Sequence, residues 1–155
     1  MRTLIAYFSA SGVTAQVAEQ LAAMTGGDLE RIEPTPAYTN ADLDWRNKQS
    51  RSTREMTDES ARPAIAKPVH DLEEYDVIFI GYPIWWGVEP RPVDTYLDLY
   101  SLKGRRIVPF ATSGGSGVSE SVRHLRILYP DASIEEGLLL NSRIDEKKIR
   151  EIIDR

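Results

Sequence analysis

Three short stretches gather the residue types that could hold a ligand without a metal or a thiol. The first, Ser9-Ala10-Ser11-Gly12-Val13-Thr14, puts three hydroxyls and a glycine just ahead of a helical pattern. Hydroxyls beside the unpaired N–H groups of a helix N-terminus suit a terminal phosphate dianion. Plain helix capping by Ser9 or Ser11 would account for the same serines. The second, Gly81-Tyr82-Pro83-Ile84-Trp85-Trp86-Gly87, sets two adjacent tryptophans between glycines. Two indoles in a loop cannot both enter a core cheaply. Exposed aromatic faces there suit a planar heteroaromatic ring, with offset stacking worth ~0.5–1.5 kcal/mol beyond area burial. One of the two is expected to pack inside. The third, Thr112-Ser113-Gly114-Gly115-Ser116-Gly117, holds three glycines in four residues. It reads either as a flexible turn or as backbone that a ligand edge can approach closely.

These stretches need elements to position them, and the chain supplies a regular set. Apolar runs at 4–8 (LIAYF), 77–80 (VIFI) and 107–111 (IVPFA) are too short for helices and each is closed by one of the three loops. Continuous apolar runs are what strands buried on both faces require. A fourth run at 133–140 (SIEEGLLL) predicts another strand, and 27–32 (GDLERI) an edge strand. Helical patterns lie between them. At 13–24, Val13, Val17, Leu21 and Met24 form one stripe, ended by Gly26-Gly27. Further helices are predicted over 92–100, 118–128 and 144–153. Alternating strands and helices imply βαβ units, a parallel sheet and helices on both faces. Residues 34–72 break the rhythm. They are polar, and the spacing predicts a functional flap with a short helix over about 41–49, led by Asn40.

Composition narrows the chemistry. The 155 residues include no cysteine, so disulfides, thiolate metal sites and cysteine nucleophiles are excluded. A formal charge of −5 argues against nucleic acid as a partner. No run approaches ~20 apolar residues, and Met1-Arg2-Thr3-Leu4 shows no signal-peptide pattern, so a cytoplasmic, membrane-free protein of one domain (1–155) is expected. The first loop lacks the lysine of GxxxxGK[ST], and no GxGxxG fingerprint is present. A G-x-S-x-G elbow is absent too. Ser9 and Gly81-Tyr82 stand where a receiver domain needs aspartates.

Phosphate cradle, aromatic platform and backbone-lined slot together describe a mononucleotide with a large flat ring, and flavin mononucleotide (FMN) fits best. With its SxSGxT, GxPIWWG and ATSGGSG loops, the chain resembles the flavodoxin-like family, and in particular the bacterial short flavodoxins. The resemblance implies a three-layer α/β sandwich with a five-stranded parallel sheet in order 2-1-3-4-5 and tight, non-covalent FMN. It assigns the phosphate to Ser9, Ser11, Gly12, Val13 and Thr14. Pro83, Ile84, Trp85, Trp86 and Gly87 would line one side of the isoalloxazine. Thr112, Ser113, Gly114, Gly115 and Gly117 would border its pyrimidine edge. The third loop lacks the tyrosine and acidic residue common in the family, so Tyr38 or Trp45 of the flap would cover the outer ring face, or that face stays open to a substrate.

The resemblance implies an electron-transfer flavodoxin working between redox partner proteins with basic docking surfaces, as a monomer or weak dimer. The alternative is an FMN-dependent NAD(P)H oxidoreductase of the quinone or nitro reductase type. Glu89, Asp94 and Asp98 are expected to form a negative rim beside the tryptophans. His70 and His124 read as surface histidines, Asp42 and Asp44 as solvated carboxylates, and no metal set is expected.

Overall fold

The computed structural model describes residues 2–141 and 144–155, so only Met1 of the residues named above lies outside it. Five strands make the predicted sheet: β1 (Thr3–Tyr7), β2 (Asp28–Arg31), β3 (Val77–Pro83), β4 (Arg106–Thr112) and β5 (Ser133–Ile134). They run parallel in the order β2-β1-β3-β4-β5. A sixth piece, β6 (Leu138–Leu139), pairs with the far end of β4. The fold is thus the flavodoxin-like α/β sandwich the loops implied.

Residues alternate across each strand, so both sheet faces are apolar and each is covered. Leu4, Ala6, Ile78, Ile80 and Tyr82 face the side covered by α3 (Arg91–Asp98) and α4 (Ser119–Leu128). Ile5, Tyr7, Val77, Phe79 and Phe110 face the side covered by α1 (Val13–Thr25) and α5 (Glu146–Ile153). Each fully buried Ile, Leu or Phe contributes roughly 1.5–3 kcal/mol of transfer free energy. On α1 the buried stripe is Thr14, Val17, Ala18 and Leu21, whereas Val13 is exposed at the site end.

Two expectations are corrected. The run at 133–140 is two short pieces, not one strand, and Pro109 explains the gap. Arg105, Ile107 and Ala111 each offer a carbonyl to this fifth-strand segment, at Ser133, Glu135 and Leu140. The same parity puts Pro109 on that edge, where it has no N–H to give. The flap helix is α2 (Arg51–Met56), not 41–49. Asp44 and Asn47 accept the N–H groups of Arg46 and Gln49, local bonds that hold 41–49 in turns. Ser50, and not Asn40, caps the helix, accepting the Thr53 N–H.

Candidate functional site

The ends of β1, β3 and β4 lie side by side, so their three loops meet at one edge of the sheet. In the first loop, Ser9 is buried and its Oγ accepts the N–H groups of Gly12 (3.1 Å) and Ala15 (3.2 Å). That bond pattern folds the turn, which Gly12 completes with a φ of 95°. Thr14 is buried as well, its hydroxyl 2.8 Å from that of Thr112 at the end of β4. Two of the three hydroxyls therefore fasten loops, and Ser11 alone stands exposed. The N–H groups of Ser11, Val13 and Thr14 have no protein acceptor among the described residues. Those of Val13 and Thr14 are the first donors of α1, and that of Ser11 lies just ahead of its N-cap, Gly12, at the positive end of the helix dipole.

The second loop is a tight reversal. Trp85 and Val88 exchange N–H···O bonds at 2.9 and 3.1 Å, and both central residues have positive φ, 51° at Trp86 and 82° at Gly87. Glycine adopts that geometry freely. Tryptophan does so at a cost of about 1 kcal/mol or more, and such strain concentrates at functional sites. The two indoles divide. Trp85 is half-buried, edge-on to Phe8 (5.5 Å) and to Tyr38 of the flap (5.5 Å), and Trp86 is 47% exposed. Tyr38 packs on Phe8 at 5.7 Å, donates to Glu55 and lies under the Arg51 guanidinium at 4.1 Å. Burial first, and Glu55 second, push its phenol well above the usual range.

In the third loop the Ser113 N–H reaches Asn141 Oδ1 at 2.8 Å, and Ser113 Oγ accepts from Gly115 (3.2 Å) and Ser116 (2.8 Å). Gly114 and Gly117 keep their N–H groups without a protein acceptor among the described residues. A Cβ on Gly114, Gly115 or Gly117 would touch nothing within 4 Å, so no packing inside the protein calls for glycine there.

Two cavities flank the Pro83–Trp85 wall. One of about 520 Å³ is lined by Ser11 and Val13, by Ile84 and Trp85, and by Thr112, Ser113 and Gly114, so it collects all three loops. Asn141 also lines it, a residue the sequence reading passed over, although its place just after a strand end is a signal of its own. The other, of about 450 Å³, lies between the tryptophans and the flap residues Leu43, Trp45 and Ser52. Nothing in the sequence marked Leu43 or Ser52. Of the residues assigned to a ligand, Ser9 and Thr14 sit behind the loop surface, and Gly12, Gly87, Gly115 and Gly117 shape or flank it without lining either cavity.

The negative rim is not there. Glu89 and Asp94 are fully buried, and Asp98 pairs with Arg62 at 2.7 Å. Glu89 meets His124 Nδ1 at 2.7 Å, and Asp94 lies 3.5 Å from the buried Arg91 guanidinium. Burial, then the Glu89 charge, push the Asp94 carboxyl up to about 9. His124 bridges Glu89 and the flap's Glu59, and its bond to Glu89 raises the imidazole to about 9. His70 is half-buried with its Nδ1 3.6 Å from Glu30. The His124 imidazole is thus engaged with two carboxylates, whereas Glu30 accepts the His70 backbone N–H at 2.7 Å and leaves the His70 Nδ1 without a hydrogen-bond partner. Asp44 is exposed, whereas Asp42 is tied to Thr39 by reciprocal bonds.

A family model for flavodoxins matches residues 2–155. A Bacteroides eggerthii protein proposed to be a flavoprotein is 54% identical, covers 99% of this chain and 96% of its own, and superposes with a TM-score of 0.92. A flavoprotein of Lactobacillus acidophilus, solved in complex with FMN, is 25% identical over 89% of this chain and 91% of its own, with a TM-score of 0.73. Oxidised Flavodoxin 1 of Bacillus cereus shares the fold at 17% identity, over 99% of this chain and 93% of its own, with a TM-score of 0.52. No curated protein matches the chain.

Proposed function

Because this chain belongs to the flavodoxin family, we propose that it binds FMN non-covalently in the three-loop cleft and works as an electron-transfer protein. The observation that carries this reading is the convergence, on one cavity of about 520 Å³, of unpartnered α1 N–H groups, an indole wall and an open glycine loop. The residues present fit the cofactor. Ser11, Val13 and Thr14 would give N–H groups to the phosphate, with Ser11 adding its hydroxyl. Ile84 and Trp85 would wall the ring, and Gly114 and Gly117 would offer N–H donors to its polar edge. When bound, FMN supplies one- and two-electron transfer, while the protein positions it and sets its surroundings.

The experiment is direct. Purified protein titrated with FMN should quench flavin fluorescence to a 1:1 end point, and a protein that takes up no FMN would end this reading. Alanine at Trp85 and at Trp86 should weaken binding unequally, by about tenfold at whichever indole faces the ring. Equal and negligible losses would remove the stacking platform.

The second cavity supports a second reading, an FMN-dependent NAD(P)H oxidoreductase, since it leaves room for a small molecule beside the tryptophan wall. Anaerobic mixing of the FMN-loaded protein with NAD(P)H separates the two. Rapid bleaching without another protein favours the reductase, whereas reduction only through a partner reductase favours the carrier.

A further inference from the structure

The cavity on the flap side of Trp85 is distinct in its chemistry from the three-loop cleft. It shares Ser11, Pro83, Ile84 and Trp85 with that cleft, but its own walls are Ala10, Leu43, Trp45, Ser52 and Trp86. Three indoles and four aliphatic residues therefore surround about 450 Å³, a volume in the range of sites for small organic ligands. Flat apolar walls favour a flat ligand, because stacked rings gain over area burial alone. Ser11 and Ser52 are the hydroxyl-bearing residues among those walls.

Charge sets the second requirement. No acidic or basic side chain lines this cavity. Arg46 holds its guanidinium 5.3 Å from the Trp45 ring centroid, and Lys48 follows two residues on. Of the other flap arginines, Arg51 pairs with Glu55 at 3.0 Å and Arg62 with Asp98 at 2.7 Å, whereas Arg54 has no carboxylate within 4.0 Å among the described residues and does not line this cavity. Arg46 and Lys48 have no carboxylate within 4.0 Å among the described residues. A half-exposed aromatic pocket thus has the Arg46 guanidinium against its Trp45 wall, and the exposed carboxylate nearest in the chain, Asp44, is held to the Arg46 backbone N–H at 3.1 Å.

We infer that this flap cavity is a second binding site, adjacent to the cofactor, for a small planar aromatic anion of one or two rings. The assignment rests on FMN occupying the three-loop cleft. The ring would lie against Trp45 and Trp86, and its acidic group would point out toward Arg46.

Calorimetric titration of the FMN-loaded protein with 2-naphthoate tests this. We expect saturable 1:1 binding, tighter than that of neutral 2-naphthol or of the non-planar cyclohexanecarboxylate. Arg46→Glu should weaken 2-naphthoate by about tenfold, as expected when an attractive charge near the surface becomes repulsive, and leave 2-naphthol within about twofold. Trp45→Ala should weaken both aromatic ligands. The inference is overturned if 2-naphthoate does not saturate, if cyclohexanecarboxylate binds as well, if neither variant alters binding, or if FMN displaces the probe, which would make this cavity the cofactor's own seat. Failure of the FMN titration itself, with 2-naphthoate still bound, would overturn the cofactor reading and the adjacency claimed here while leaving the measured ligand class in place.

Discussion

At the scale of single residues, Trp86 shows most clearly how site and stability pull apart. Its φ of 51° is the one positive value at a non-glycine among the described residues, and its ring is about half exposed. Trp86→Gly should raise stability to chemical denaturation by about 1 kcal/mol, by relieving the backbone, and should weaken 2-naphthoate in the flap cavity that Trp86 lines. A variant that loses stability would show that the indole earns its conformation by packing. The same scale shows what hydroxyls in a motif can and cannot reveal. Ser9, Ser11 and Thr14 look equivalent in sequence, yet two of them serve the backbone and Thr112, and only Ser11 faces out. Spacing identified the loop, but local N–H groups decided the role of Ser9, and a partner 98 residues away that of Thr14.

At the scale of elements, the flap is the part with the most to explain. The Arg91 guanidinium, 2% exposed, donates to the carbonyls of Glu55 (3.2 Å), Met56 (3.2 Å) and Asp58 (3.1 Å), at and just beyond the end of α2. Glu55 and Met56 carry the last two carbonyls of α2, at the negative end of its dipole, where a cation is favourable. Arg91→Lys keeps the charge but loses the fork, so it should destabilise the protein by about 2–4 kcal/mol and speed proteolysis within 34–72. Unchanged melting would mean the flap is held elsewhere. His124 adds a second tie through Glu59 and Glu89, with Arg91 and Asp94 nearby. Its native pKa is raised from 6.5 to about 9, so its contribution is complete below about pH 6.5 and is lost as pH rises toward 9. Asp94, raised to about 9 by burial, acts in the same direction over a wider range starting near pH 3.8. The melting temperature should therefore fall between pH 6.5 and 9. His124→Gln should flatten that limb, leaving the slope due to Asp94, and an unaltered slope would count against the bridge.

Across the whole molecule, register turns local runs into a single platform. Gly81 pairs with Phe110, and a Cβ on Gly81 would fall 2.1 Å from the Phe110 ring. Gly81→Ala should cost about 1–3 kcal/mol by overpacking, and Phe110→Leu should recover part of the loss, as measured by denaturation of the single and double variants. Because FMN would bind only the folded chain, excess FMN should raise the melting temperature, by about 2.7 kcal/mol of added stability at 100 times Kd. The buried strands, the helices between them and the three loops were legible because their signals are local: apolar runs of strand length, helical spacing, and glycines where strands end. The place of α2, the burial of Glu89, Arg91 and Asp94, and the two cavities either side of Trp85 were not. Each depends on groups far apart in the chain, such as Arg91 with Met56 or Leu43 with Trp86. A charge next to an aromatic loop reads as a rim until the fold supplies it with an internal partner, and only the tertiary structure supplies Glu89 with His124.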